Sequence, residues 1–124
     1  MVAFSFKAQF AEMVAAGKKT QTIRQTARAK PGDRLQLYTG MRTKKCRKLV
    51  DPDPVCTLVD YVGIRPDYLT LGNAKKHAGD ADDFARRDGF TDYNDMVKWF
   101  AETYGSPYFQ GYVHVWQHNQ RAES

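Results

Sequence analysis

An α+β fold is what this 124-residue sequence predicts: a small mixed sheet of five or six strands, curled into a pseudo-barrel, with helices on its outside. Three observations carry that expectation. Segments with strand and helix character run in the order strand, helix, several strands, helices, strand, without the βαβ alternation that builds a doubly wound parallel sheet. The strand-like segments are short and punctuated by glycine and proline, as in a curved, largely antiparallel sheet. The chain length suits one domain with a core of its own, taken as residues 1–117, followed by a short C-terminal tail at 118–124.

The elements follow in order. "VAFSF" is β-favouring and short. In "SFKAQFAEMVAAG", Phe6, Phe10, Met13 and Val14 recur at i, i+4, i+7 and i+8, one face of a helix. Ser5 is placed to cap that helix, and Gly17 sits where a left-handed residue would stop it. "TQTIR" has the β-branched bias of a strand, and "KPGD" is a turn. "RLQLYT" alternates Leu35 and Leu37 with polar neighbours. "GMRTKKCRK" reads as a basic loop and "DPDP" as a rigid break. "VCTLVDYVGI" is a long strand, with Val55, Thr57, Val59 and Tyr61 on one face. An irregular stretch follows, then a short helix, "DADDFARRDGF", closed by Gly89. The clearest helix is "TDYNDMVKWFAETYG": Asp92 or Thr91 caps it, Tyr93, Met96, Val97 and Phe100 form its stripe, and Gly105 ends it. "SPYFQGYVHVW" alternates as a closing strand.

Charge is unevenly distributed. Residues 1–50 hold twelve basic side chains against Glu12 and Asp33, whereas the remainder is net acidic. Such an excess in one half of a domain is the footprint of a polyanion. The segment "RTKKCRK" concentrates it: Arg42, Lys44, Lys45, Arg47 and Lys48 repel one another, and phosphate contact would relieve the repulsion. Tyr38, just before the loop, is placed to stack on a base or to fill the core. Cys46 and Cys56 form no CxxC or Cys/His set, so neither a metal nor a cofactor is expected. No apolar run is long enough for a signal segment or a bilayer span, and the chain reads as cytoplasmic with reduced thiols and no membrane partner. His77 and His114 have no companion ligands.

Residues 15–24, "AAGKKTQTIR", crowd hydrogen-bonding groups around one bend. A threonine hydroxyl is a weak nucleophile that needs a base, and a lysine can serve if burial or a neighbouring cation lowers its pKa. Lys18 and Arg24 flank Lys19 for that purpose. Strict strand alternation would put Lys19 and Thr22 on opposite faces; they converge only if the segment begins as a turn, which Gly17 permits. Arg24 can pair with an acid or hold a phosphate through its fork.

"GKKTQTIR", with "KPGD", "LYTGMRTKKCRKL", "DGF" and "GYVHVW", resembles the ASCH domain family, related to the PUA-like fold, over residues 4–116. The resemblance implies a β-barrel-like domain with flanking helices around a cleft, associated with RNA. Some family members are amidohydrolases that remove acetyl from acetylcytidine with a Lys, a Thr and a Glu; another is a ribonuclease. Carried over, the lysine is Lys19, the threonine Thr22, and the acid Asp88, an aspartate where the family has glutamate. Asp88 also stands beside Arg86 and Arg87, so a helix-end ion pair is its bland alternative. Two readings result. In the first, set ahead, the chain binds RNA or a nucleoside through a basic cleft of Lys18, Arg24, Tyr38 and the Arg42–Lys48 loop. In the second it is a hydrolase, with Lys19 as base, Thr22 as nucleophile and Asp88 as the orienting or proton-transferring acid, acting on acetylcytidine or as a ribonuclease.

Overall fold

The computed structural model describes residues 2–117; the expected tail at 118–124 lies outside them. Eleven elements follow in order: β1 (Val2–Phe6), α1 (Ala8–Ala15), β2 (Gln21–Arg24), β3 (Leu35–Thr39), β4 (Arg47–Lys48), β5 (Cys56–Ile64), β6 (Tyr68–Leu71), β7 (Ala74–His77), α2 (Asp82–Arg87), α3 (Tyr93–Tyr104) and β8 (Phe109–Trp116). The fold is α+β. Its strands, more numerous than expected, divide between two sheets, ordered β1-β3-β4 and β2-β8-β5-β6-β7, and no closed barrel forms among the described residues. All pairings are antiparallel except β1 with β3.

Two segments depart from the sequence pattern. Ser5 and Phe6 belong to β1, where they pair with Tyr38 and Thr39, and α1 begins only at Ala8, with Lys7 at its N-cap and no side-chain cap bond. Strand pairing outweighs the helical periodicity there: Phe4 and Phe6 bury from the strand, while Met13, the expected stripe residue, is exposed. The stretch between β5 and α2 is a hairpin. Its two-residue turn puts Gly72 at φ +59, the glycine-first arrangement that suits a hairpin's twist. Every residue of β7 is exposed, so no alternation betrays it.

The late helix matches its sequence. Asp92 accepts from the Asp95 N–H, Gly105 closes the helix at φ +73, and Tyr93, Met96 and Phe100 bury against the core, with Val97 packed beside them. Tyr93 also ties the hairpin down: its hydroxyl donates to the backbone of the 65–68 turn, whose Arg65 N–H donates back to it. Burial pushes the phenol up to about 12. Trp116 is buried and Trp99 half-buried. Both cysteines are free. No helix among the described residues is long and apolar enough to cross a membrane.

Candidate functional site

Gly17 decides the geometry of "GKKTQTIR". At φ +79 it ends α1 and turns the chain, so that the Lys18 and Lys19 amides both donate back to the Met13 carbonyl. Thr20 then bridges two elements, its N–H donating to Arg87 and its carbonyl accepting from Trp116. Strand alternation begins only at Gln21, leaving Lys19 in the turn and free to point inward.

Lys19, Gln21, Thr22 and Asp88 are all buried, between 1% and 4% exposed. Lys19 Nζ lies 3.5 Å from Asp88 Oδ1 and donates to the Asp88 carbonyl at 2.5 Å. Asp88 is the C-cap of α2, so Lys19 satisfies one of the carbonyls a helix leaves without a partner. Gln21 Nε2 donates to Asp88 Oδ1 at 3.3 Å. Arg86 turns away to Asp83, and the helix-end pairing of Asp88 with its neighbouring arginines does not form. On the other side, Arg24 Nε donates to Thr22 Oγ1 at 3.1 Å, and its Nη2 donates to the Ser5 carbonyl. The guanidinium lies over Phe4 and Phe6, 4.9 and 5.5 Å from their ring centres.

Electrostatics act in two opposed directions. Burial pushes the Lys19 ammonium below its ordinary value; the Asp88 charge and hydrogen bond pull it back, and the Arg24 charge adds to the lowering. Burial pushes the Asp88 carboxyl up against the opposing Lys19 and Gln21. Desolvation wins for both partners, so the site favours the uncharged form of each more than water does.

Lys19, Thr22, Arg24 and Asp88 line one cavity of about 140 Å³. Its walls are aromatic: Phe6, Phe10, Phe90, Trp99, Phe100 and Tyr104. Phe10, Phe90 and Trp99 lock together with ring centres 5.4 to 5.7 Å apart. Lys7 sits over the Trp99 ring at the rim. The volume is near that of an apolar cavity of about 150 Å³ known to take up benzene, room for one ring-sized group but not for a strand. No hydrogen bond joins Lys19 Nζ to Thr22 Oγ1 among the described residues; such contacts commonly tighten when substrate arrives.

The remaining residues expected in a basic cleft lie elsewhere. Lys18 is exposed in the turn, and neither it, Tyr38 nor the 42–48 loop lines the cavity. Tyr38 is half-buried in β3 opposite Lys48. Within the loop, Arg47 pairs with Glu12 at 2.7 Å and Lys48 with Asp53 at 2.6 Å. Arg42, Lys44 and Lys45 are exposed and form no ion pair among the described residues.

Three supporting residues escape a sequence reading. Gln21 stands inside the motif, and its inward polar side chain is the sort of signal that could have been followed. His114, fully buried, lies opposite Thr22 in the β2–β8 register, with Nδ1 3.4 Å from the Thr22 carbonyl and Nε2 accepting from the Arg28 N–H. That arrangement fixes the proton on Nδ1, and burial holds the ring neutral. Arg28 stacks on Phe4 beside Arg24. No group of three or more His, Cys, Asp or Glu side chains is assembled for a metal among the described residues. No family model, curated protein or solved structure matches this chain.

Proposed function

We propose that the chain is an ASCH domain of PUA-like type that holds one modified cytidine in its aromatic pocket and removes the acetyl group. The observation that carries this reading is the meeting of Lys19, Thr22, Arg24 and Asp88 in a cavity sized for a single ring. An open basic groove would have favoured RNA binding alone; a small, partly open pocket with a hydroxyl, an amine and a carboxyl favours chemistry on a small group.

The residues divide the work as follows. In its free-amine form, Lys19 takes the Thr22 proton as Oγ1 attacks the acetyl carbonyl carbon. Arg24, already donating to Oγ1, favours the deprotonated form of that hydroxyl and so eases removal of its proton. The carbon–nitrogen bond then breaks, and the cytosine amine leaves with the proton Lys19 returns. A water deprotonated by Lys19 cleaves the acetyl-threonine ester, releasing acetate and restoring Thr22. Asp88 orients the amine through its carbonyl and carboxyl oxygens. Burial lowers the Lys19 pKa and so raises the share of free amine on which the first step draws.

The test is release of cytidine from acetylcytidine, followed by chromatography. Wild type should release it, Thr22→Ala should lose roughly a thousandfold or more in rate, and Thr22→Ser should retain part. No release by wild type would refute hydrolysis. A second reading, RNA binding at the 42–48 loop, rests on Arg42, Lys44 and Lys45, three exposed cations with no ion pair among the described residues.

A further inference from the structure

β1 is an edge strand of its sheet. Two of its carbonyls, on residues Ala3 and Ser5, lie two apart and therefore point to the same side of the strand. Arg28 Nη2 donates to Ala3 at 2.6 Å, and Arg24 Nη2 donates to Ser5 at 3.1 Å. Both guanidiniums lie on the ring of Phe4, between those two residues, at 4.6 and 4.9 Å from its centre. Closing a strand edge explains one N–H of each guanidinium. It does not explain why both groups are cationic, since two like charges on one ring repel.

Neither arginine forms an ion pair with a carboxylate among the described residues. Each keeps N–H groups beyond those already used, because a guanidinium carries five. Their placement is also fixed beforehand. The Arg28 backbone N–H is bound to the buried His114 ring, and Arg24 is held by Thr22, Ser5 and two aromatic faces. Arg24 lines the pocket and Arg28 stands exposed beside it. Paired guanidiniums with fixed forks and no ion-paired carboxylate among the described residues are suited to the oxygens of a phosphate.

We propose that Arg24 and Arg28 form a phosphate seat at the edge of the pocket, so that the ligand is a nucleotide, its ring in the cavity and its phosphate ester on the two guanidiniums. The inference rests on the nucleoside reading of the pocket and specifies it further. Phosphate on the seat supplies a direct ion pair to both arginines without displacing the bonds to Ala3, Ser5 and Thr22.

The experiment is calorimetric titration of wild type with acetylcytidine, its 5′- and 3′-monophosphates, and inorganic phosphate. At least one monophosphate should bind roughly tenfold to a hundredfold more tightly than the nucleoside. Arg28→Gln should remove most of that advantage and leave nucleoside affinity unchanged. Arg28→Lys, which keeps the charge and loses the fork, guards against a folding defect and should retain only part of the advantage. Equal affinity for the nucleoside and both monophosphates overturns the seat and leaves the pocket reading standing. Binding of inorganic phosphate that depends on Arg28, with no binding of acetylcytidine, supports the seat and removes the nucleoside from the pocket. No binding of any probe overturns both.

Discussion

Replacing Lys19 with methionine tests the buried pair on which the site depends. Methionine fills a similar volume but removes the cation 3.5 Å from Asp88 Oδ1, where both side chains are only 4% exposed. Asp88 would keep a single side-chain hydrogen bond, from Gln21, and its carbonyl would lose the Lys19 donor. Stranding a buried charge in this way costs about 3–5 kcal/mol, against a total stability of about 5–15 kcal/mol. At about 2 kcal/mol per molar urea, the midpoint followed by tryptophan fluorescence should fall by about 2 M. The loss should depend on pH with a definite sign. Burial already holds the Asp88 pKa above its unfolded value, and without Lys19 it rises further. A carboxyl whose folded pKa is raised destabilises fully above that folded value, and the penalty fades as pH falls towards the unfolded value near 4. The gap between Lys19→Met and wild type should therefore shrink between pH 7 and pH 4.5. Adding Asp88→Asn, which keeps an acceptor for Gln21, should bring the double variant within about 1–2 kcal/mol of wild type at pH 7. A loss under about 1 kcal/mol, or the same loss at both pH values, would refute a desolvated ion pair.

Gly89 has φ +99, and a Cβ there would meet Phe10 Cδ1 at 3.1 Å, Lys19 Cδ at 3.2 Å and Met13 Sδ at 3.3 Å. Gly89→Ala should lose about 2–3 kcal/mol in urea titration, from backbone strain plus displacement of the Lys19 stem; a loss below about 0.5 kcal/mol would show that the turn relaxes freely. For the RNA reading, neutralising Arg42, Lys44 and Lys45 should flatten the slope of log K against log salt more than neutralising Arg47 and Lys48, which already have partners; equal or absent effects would remove the loop from the interface.

Legibility followed the range of the interaction responsible. α3 was readable because its cap, its stripe and its terminating Gly105 all lie within the helix or next to it. Edges were harder. Ser5 reads as a helix cap and Phe6 as the start of a helical period, yet both join β1, because a partner thirty-three residues away in sequence outweighs them. β7 presents Ala74, Lys75, Lys76 and His77 wholly to solvent, and an edge strand of that composition, suited to blocking further pairing, has no hydrophobic alternation to read. Charge density was only partly informative for a related reason. "RTKKCRK" shows how many cations there are but not that Glu12 and Asp53 neutralise two of them, nor that the loop lies outside the cavity.

The site divides along the same line. Lys19 and Thr22 were readable together because Gly17, in the same motif, controls whether they can converge. Asp88 was readable only through resemblance, and its place as helix cap and its candidate role as acid were not separable before its carbonyl was seen to accept from Lys19. That double contact explains why "DGF" must follow α2 closely. Asp88 has to end the helix for its carbonyl to be free, and the left-handed Gly89 then turns the chain without placing a side chain on Lys19. Phe90 follows at once and closes the cavity against Phe10 and Trp99. His114 and Arg28 depend on a register spanning 86 residues, and no local pattern announces that. His114 and Arg24 together fix Thr22: His114 engages its carbonyl while Arg24 engages its hydroxyl, so the candidate nucleophile is held at both ends before any ligand enters.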